Sequence, residues 1–283
     1  MRIILHLKKS PSQPLNILIT GDARGLGRGL ARILASRGHK LHLLDTNTPE
    51  LTHTTHTLTS QYPGRISSSA LDLRKPSDIT PLPEILPEDF QHLDVLINNA
   101  AYTGGVGGSN ISDLTLEEWN KSIQTNLTAP MLTTQACLPL LQESASSSSL
   151  STMRSQGGTV INISSTRRAS QSEPNSEAYA ATKAGLLGLS QALAVSLAPL
   201  NITVNALVLG WIHVGNENAR ADEEGTRWED GLEERDHRWQ LTGRVGNVED
   251  VGRAVEYLLG ARGVTGTEMV VDGGVTRKMV YPE

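Results

Sequence analysis

Apolar residues in this chain come in short bursts, separated by longer stretches in which they recur at every third or fourth position. Leu15-Asn16-Ile17-Leu18-Ile19-Thr20 is the first burst and predicts a strand, and residues 26–37, ended by Gly38, predict an amphipathic helix. Lys40-Leu41-His42-Leu43-Leu44-Asp45 predicts a second strand, and further strands are expected at 65–73, 93–97, 159–164, 202–208 and 268–271. Helices are expected at about 112–143, 175–198 and 248–260. Strands that alternate with helices, and that read as near-continuous Val, Ile and Leu, predict an α/β fold. Its core would be a doubly wound parallel sheet with helices on both faces.

Three segments break the rhythm. Prolines at 76, 81, 83 and 87 argue against a long helix between 75 and 88 and predict an irregular crossover. Residues 144–156 are serine-rich and precede Gly157-Gly158, which reads as a solvated loop inserted between a helix and the next strand. Residues 210–240 hold nine acids against four arginines, together with Trp211, Trp228 and Trp239. No repeat or linker marks a second domain. The chain therefore reads as an N-terminal extension (1–13) and one domain (14–283).

Composition narrows the function. The formal net charge is −5 and no basic run exceeds two residues, so the basic stripe of a nucleic-acid protein is missing. Cys137 is the only cysteine, which excludes an intramolecular disulfide and a cysteine-based zinc site and fits a reducing compartment. His53 and His56 lie three apart on a helical stretch, but with no third ligand near them in sequence no metal site is expected. No uninterrupted apolar run approaches the roughly 18 residues of a membrane span. The opening Met1-Arg2-Ile3-Ile4-Leu5 is too short for a secretory signal. Its lack of acids before Asp22 leaves a mitochondrial presequence as the lesser reading, and a cytoplasmic location is expected.

The chemistry begins at Thr20-Gly21-Asp22-Ala23-Arg24-Gly25-Leu26-Gly27, between the first strand and the first helix. A pyrophosphate needs such a junction, because glycine lets the backbone come close and a helix N-terminus offers free N–H groups and partial positive charge. The spacing is G-x-x-x-G-x-G, not G-x-G-x-x-G. Farther along stand Asp72, Asn98-Asn99-Ala100-Ala101, Asn126 in Lys-Ser-Ile-Gln-Thr-Asn-Leu, Ile163-Ser164-Ser165 and Tyr179-Ala-Ala-Thr-Lys183. Gly243-Arg244-Val245-Gly246 and Val271-Asp272-Gly273-Gly274 complete the series. Over roughly residues 14 to 275 the ordered set resembles the short-chain dehydrogenase/reductase family, in its shorter branch. Ala101 departs from the family's Asn-Asn-Ala-Gly.

Tyr179 and Lys183 are spaced i,i+4 and share a helix face. An ordinary phenol holds its proton to a pH of about 10, and a neighbouring ammonium would make it usable as an acid–base group nearer neutrality. The resemblance implies a Rossmann-like fold binding a nicotinamide dinucleotide and a hydride exchange between that cofactor and a secondary alcohol or ketone. It implies that Ser165 stabilises the charge developing on the carbonyl oxygen, that Tyr179 moves the proton, and that Lys183 holds the nicotinamide ribose. Asn126 would help fix a water linking the lysine to solvent. The family places its serine 13 residues before the tyrosine; here Ser165 is 14 before, and Thr166 stands at 13 as the alternative hydroxyl.

Cofactor contacts are expected from Gly21, Arg24, Gly25, Leu26, Gly27, Asp45, Asp72, Leu73, Asn99, Ala100, Tyr179, Lys183, Gly210 and Ile212. Asp45 ends the second strand, where a carboxylate can hold the adenosine ribose hydroxyls of NAD. It would repel a 2′-phosphate by about 4 kcal/mol for unit charges 4 Å apart at an effective dielectric near 20. Arg24 points the other way, toward NADP, so NAD(H) is favoured with NADP(H) as the alternative. Residues 210–240 are expected to cover the substrate, and the tryptophans suit an apolar or aromatic one. Leu209 replaces the family's proline before Gly210, and Val214 stands where a threonine commonly bonds the carboxamide. Those departures keep a second reading open, a dinucleotide-binding protein without net redox turnover. The family's habit of assembly implies a homodimer or homotetramer.

Overall fold

A computed structural model of the chain describes residues 14–104, 106–107, 110–146, 157–168, 172–261 and 263–278. The extension at 1–13 and the greater part of the serine-rich insertion lie outside them. Seven parallel strands form one sheet in the order β3-β2-β1-β4-β5-β6-β7. They are β1 (Asn16–Thr20), β2 (Lys40–Asp45), β3 (Ile66–Ala70), β4 (Val95–Asn98), β5 (Thr159–Ser165), β6 (Thr203–Leu209) and β7 (Glu268–Val271). The chain builds outward from β1 to β3 and then returns to place β4 on the other side of β1, pairing Ile17 with Val95 and Ile19 with Ile97. At that reversal the connections leaving β1 and β4 run to opposite sides of the sheet, and a crevice forms at their carboxyl ends.

Alternation along the strands sorts side chains onto two faces. Ile17, Ile19, Leu41 and Leu43 join one core with Leu30 and Leu34 of α1 (Gly25–Ser36) and Val251 and Val255 of α10 (Val248–Gly260). Leu18, Leu96 and Val160 join the other with Cys137 and Leu141 of α6 (Ala129–Ser146) and Leu197 of α7 (Glu177–Leu197). Burial pushes the Cys137 thiol up to about 12, so it serves only as packing. The remaining helices are α2 (Thr48–Gln61), α3 (Pro76–Ile79), α4 (Leu82–Ile85), α5 (Leu116–Ile123), α8 (Ala219–Glu224) and α9 (Glu234–His237).

Several expected boundaries move. The third strand stops at Ala70, so Asp72 lies past its end. The proline-rich crossover is two single turns, each with a proline in its first turn where no backbone donor is needed. The single helix expected at 112–143 is interrupted: α5 passes through a π turn at Gln124–Thr128 before α6 begins, and Asn126 lies in that turn. Helix α7 has the length and apolarity of a membrane span, with mean hydropathy 1.3 between Glu177 and Leu200. One face of it packs against β5 and β6, and a third of that stretch is buried.

The Gly243–Gly246 motif ties the end of the sheet to α10. Arg244 Nη1 and Nη2 each donate to Asp250 at 2.7 Å, and Asp250 also closes a capping box with Asn247. These contacts hold the Asp250 carboxyl down to about 2. A carboxylate depressed in the folded state contributes stability that is complete above its unfolded value near 3.8 and lost as pH falls toward 2. Asp250→Ala is expected to cost about 1 kcal/mol at pH 7 in urea titration, with the gap to the parent closing as pH falls from 4 to 2.

Candidate active site

Thr20 ends β1, and its Oγ accepts from the N–H groups of both Asn99 and Ala100 at 3.1 Å. Asn99 answers from the end of β4 through Nδ2, donating to the carbonyls of Thr20 (3.0 Å) and Gly21 (2.7 Å). Gly21 takes φ +70°, and a Cβ there would sit 2.5 Å from the Cα of Ala100. Only glycine fits so close an approach in that conformation. Gly27 is stacked beneath the loop, where a Cβ would come within 2.3 Å of the Gly21 carbonyl oxygen. Ala101 has no positive φ, so the family's glycine is not required there. Helix α1 begins behind this loop with no acid in its first turn, leaving its N-terminal field open to an anion.

The loop faces a cleft of about 1300 Å³ along the carboxyl ends of the strands. Gly21, Arg24, Gly25, Leu26, Asp45, Asp72, Leu73, Asn99, Ala100, Ser165, Tyr179, Lys183, Gly210 and Ile212 all line it. Two residues expected in the site do not. Gly27 supports the loop from below, and Asn126 lies fully buried behind the cleft. A dinucleotide fits this cleft by size, by its glycine cradle and by a helix end with no acid in its first turn. Asp45 is held at its rim by the N–H groups of Ala23 (3.0 Å) and Asn47 (2.9 Å). Asp72 is clasped by Arg74 through Nε and Nη2, each at 2.9 Å, which keeps its carboxyl below the ordinary range.

At the other end, α7 carries Tyr179 and Lys183 against the end of β5. Ser165 lines the cleft with Tyr179 and pulls the phenol's pKa down, while Ser164 turns away and donates to the Lys183 carbonyl at 2.9 Å. Ser165 and Thr166 both line the cleft, Thr166 being buried. Lys183 Nζ donates to the Ile163 carbonyl at 2.7 Å and lies 5.6 Å from the Tyr179 ring centroid. The expected lowering of the phenol by the lysine is not the balance found. Burial pushes Tyr179 above its ordinary value, against the opposite pull of Ser165 and Arg167, and burial also brings Lys183 down to about 8. Both charged forms are disfavoured in this dry pocket. Asn126 spends its side chain on protein groups: Oδ1 accepts from the Tyr102 N–H (2.7 Å), and Nδ2 donates to the Tyr102 carbonyl (3.0 Å) and Thr182 Oγ (3.1 Å).

Residues 210–240 leave β6 through Gly210, where a Cβ would press within 2.8 Å of Asp272 Cα. Ile212 then bridges to Gly246. The segment is bolted to α1 by charge: buried Arg28 meets Asp222 at 2.5 Å, Arg32 meets buried Glu217 at 2.6 Å, and the Gly25 N–H donates to the Glu217 carbonyl at 2.7 Å. His53 joins this cluster through Asp222 at 2.7 Å, which accounts for it without a metal. Val214 packs 3.7 Å from the Cβ position of Gly25, an apolar contact where the family's threonine would be polar.

A sequence-family model described as enoyl-(acyl carrier protein) reductase matches residues 21–276. An uncharacterized oxidoreductase of Thermotoga maritima is 31% identical over 94% of this chain and 97% of its own. The D-beta-hydroxybutyrate dehydrogenase of Rhizobium meliloti is 30% identical over 92% and 97%. Among solved structures, the Pseudomonas aeruginosa RhlG/NADP active-site complex superposes with a TM-score of 0.77 at 28% identity, covering 94% of this chain and 98% of that one. The chain belongs to the short-chain dehydrogenase/reductase family. It is an NAD(P)-dependent oxidoreductase acting on alcohol and carbonyl groups.

Several parts of this dehydrogenase/reductase site escaped the sequence reading. Asn98, Asn162 and Ser190 form a buried chain of amides and hydroxyl linking β4, β5 and α7, with Asn98 Nδ2 to Asn162 Oδ1 and Asn162 Nδ2 to Ser190 Oγ both at 2.8 Å. Polar residues inside two apolar strands were the available signal. Asp22, between two small residues of the phosphate loop, is fully buried with only its Oδ2 bonded, to the Leu44 N–H at 3.2 Å. Burial, reinforced by the charge of Asp45, raises its carboxyl well above the ordinary value.

The close approach at Gly21 can be separated from backbone strain. Gly64 has a similar φ of +72° with nothing within 4 Å of its Cβ position. Gly21→Ala is expected to lower Tm by several degrees and to weaken NADH binding at least tenfold in a fluorescence titration. Gly64→Ala is expected to show only the modest loss of Tm.

Proposed function

We propose that this enzyme reduces a ketone, or oxidises the matching secondary alcohol, with Tyr179 as the acid–base group. The observation that carries the reading is that three groups from two elements line one cleft: Ser165, the Tyr179 phenol, and the Lys183 ammonium 5.6 Å from the centroid of that ring. When bound, the nicotinamide dinucleotide supplies the hydride for reduction and accepts it for oxidation. Tyr179 passes its phenolic proton to the substrate oxygen as that oxygen gains charge, and takes it back in the reverse direction. Ser165 donates to the same oxygen and stabilises its developing negative charge. Lys183 stands ready to donate to the nicotinamide ribose and to offset charge on the phenolate. Asn126 acts as a positioning residue, fixing Tyr102 and Thr182 around the lysine.

For the dinucleotide, Asp45 at the rim of the cleft supports a preference for NAD(H) over NADP(H). Arg24 lies close enough along the same loop to recognise a phosphate, which defines the competing term. Residues 210–240 serve as the substrate flap, anchored on α1 by Arg28 and Arg32. Exposed Trp211 and Trp239 on the cleft wall favour an apolar or aromatic substrate body. The long faces of α5, α6 and α7 would join subunits in a homodimer or homotetramer, and the action is assigned to the cytoplasm.

The reading is tested by titrating the protein with NADH and NADPH and then screening ketones by loss of nicotinamide absorbance. Reduction of at least one ketone class is expected, whereas tight dinucleotide binding with no carbonyl compound turned over overturns it. Asp45→Ala is expected to move the NADPH-to-NADH ratio of kcat/KM at least tenfold toward NADPH, and Arg24→Ala to move it the other way. Stability carries a second signature. A lysine lowered from 10.5 to about 8 in the fold binds its proton less tightly than in the unfolded chain, so unfolding free energy rises as pH climbs from 8 toward 10.5. That rise is expected in the parent and reduced in Lys183→Met, measured by denaturant titration without dinucleotide.

A further inference from the structure

We propose that Arg167 is the receptor for a carboxylate on the substrate, so that this enzyme works on oxo acids or hydroxy acids rather than on neutral ketones. The inference rests on the reading above and names the substrate class for the same site. Four cations line the cleft among the described residues. Arg24 belongs to the phosphate loop, Arg74 is clasped by Asp72 beside the adenosine end, and Lys183 is buried on the Ile163 carbonyl. Arg167 is the cation left at the end that holds the reacting groups.

Its position is fixed by the chain. It stands two residues past Ser165, and its N–H donates to the Ser165 hydroxyl oxygen at 3.2 Å. The guanidinium lies near enough to Tyr179 for its charge to be felt at the phenol. Its side-chain partner among the described residues is Glu173, met through Nη2, in an ion pair whose two side chains are 36% and 47% exposed. A guanidinium presents five N–H donors in a flat fork, and one contact leaves the rest of that fork to grip a carboxylate. Glu173 then acts as a displaceable counter-ion, holding the arginine over the mouth between turnovers. An exposed pair of this kind contributes little of its own and yields readily to a bidentate one. The apolar remainder of the substrate would rest on Trp211 and Ile212, which line the same cleft.

The test uses pyruvate, acetoacetate and levulinate, each beside its methyl ester, and reads kcat/KM for acid over ester. The three acids vary the spacing from carbonyl to carboxylate. The parent is expected to favour at least one acid tenfold or more. Arg167→Gln is expected to cut that ratio at least tenfold, mainly through KM, and Arg167→Lys to restore part of it. Glu173→Gln is expected to raise the ratio, because it frees the arginine. A pair that serves structure only would change both variants in the same direction. Equal use of acids and esters by the parent, or preference for an amino ketone drawn to Glu173, overturns the proposal. Calorimetric binding of the same acids and esters to the NADH complex gives a readout independent of turnover. Acid-selective binding without reduction would contradict the redox reading and leave the carboxylate receptor standing; reduction without acid selectivity would do the reverse.

Discussion

The approach of Gly21 to Ala100 governs the rest of the site. A methyl group at Gly21 would overlap the backbone at the end of β4, so the end of β1 and the end of β4 meet only because residue 21 has no side chain. Thr20 and Asn99 stitch that meeting with four hydrogen bonds of 2.7 to 3.1 Å. From this stitch the geometry propagates. It sets where α1 begins, and therefore where the helix end faces the cleft. It also fixes the height of β4 against β5 and, through the Asn98–Asn162–Ser190 chain, the seating of α7. Tyr179 and Lys183 on α7 are thus registered to the glycine loop through buried amides.

Burial at the other end sets the chemistry in tension. Lys183 is 2% exposed and held by a carbonyl, and the phenol above it is pushed toward its neutral form. A solvated ammonium and phenol would be easier to keep but less responsive, since their charges would be screened by water. In the dry pocket each added charge, whether from substrate, dinucleotide or Arg167, shifts the proton affinity of its neighbours strongly. Charged side chains also tie residues 210–240 to the glycine loop's helix. Arg28 and Arg32 pair with Glu217 and Asp222 and join residues 210–240 to α1.

Much of this was legible in the residues themselves. Strand and helix alternation gave the parallel sheet, because strands buried on both faces cannot hide their Val, Ile and Leu runs. The glycine spacing at 21, 25 and 27 and the Tyr179–Lys183 pair located both ends of the cleft, since close approach and shared helix faces are local properties. What escaped was set by distance in sequence. The π turn at Gln124–Thr128 leaves no local pattern, and Asn126 finds Thr182 only when the helices pack. The joining of Glu217 to Arg32 spans 185 residues, so no local pattern pairs them. The sign of the shift at Tyr179 also depended on burial, which spacing cannot report.

The central claim is that the phenol of residue 179 moves the proton while the dinucleotide carries the electrons. The most direct measurement is single-turnover reduction of a ketone substrate by the preformed NADH complex of Tyr179→Phe, followed by nicotinamide absorbance. The account predicts NADH affinity within about twofold of the parent and a transfer rate lower by at least about 100-fold, the usual worth of a placed general acid. Transfer at the parental rate, with NADH bound normally, would contradict it.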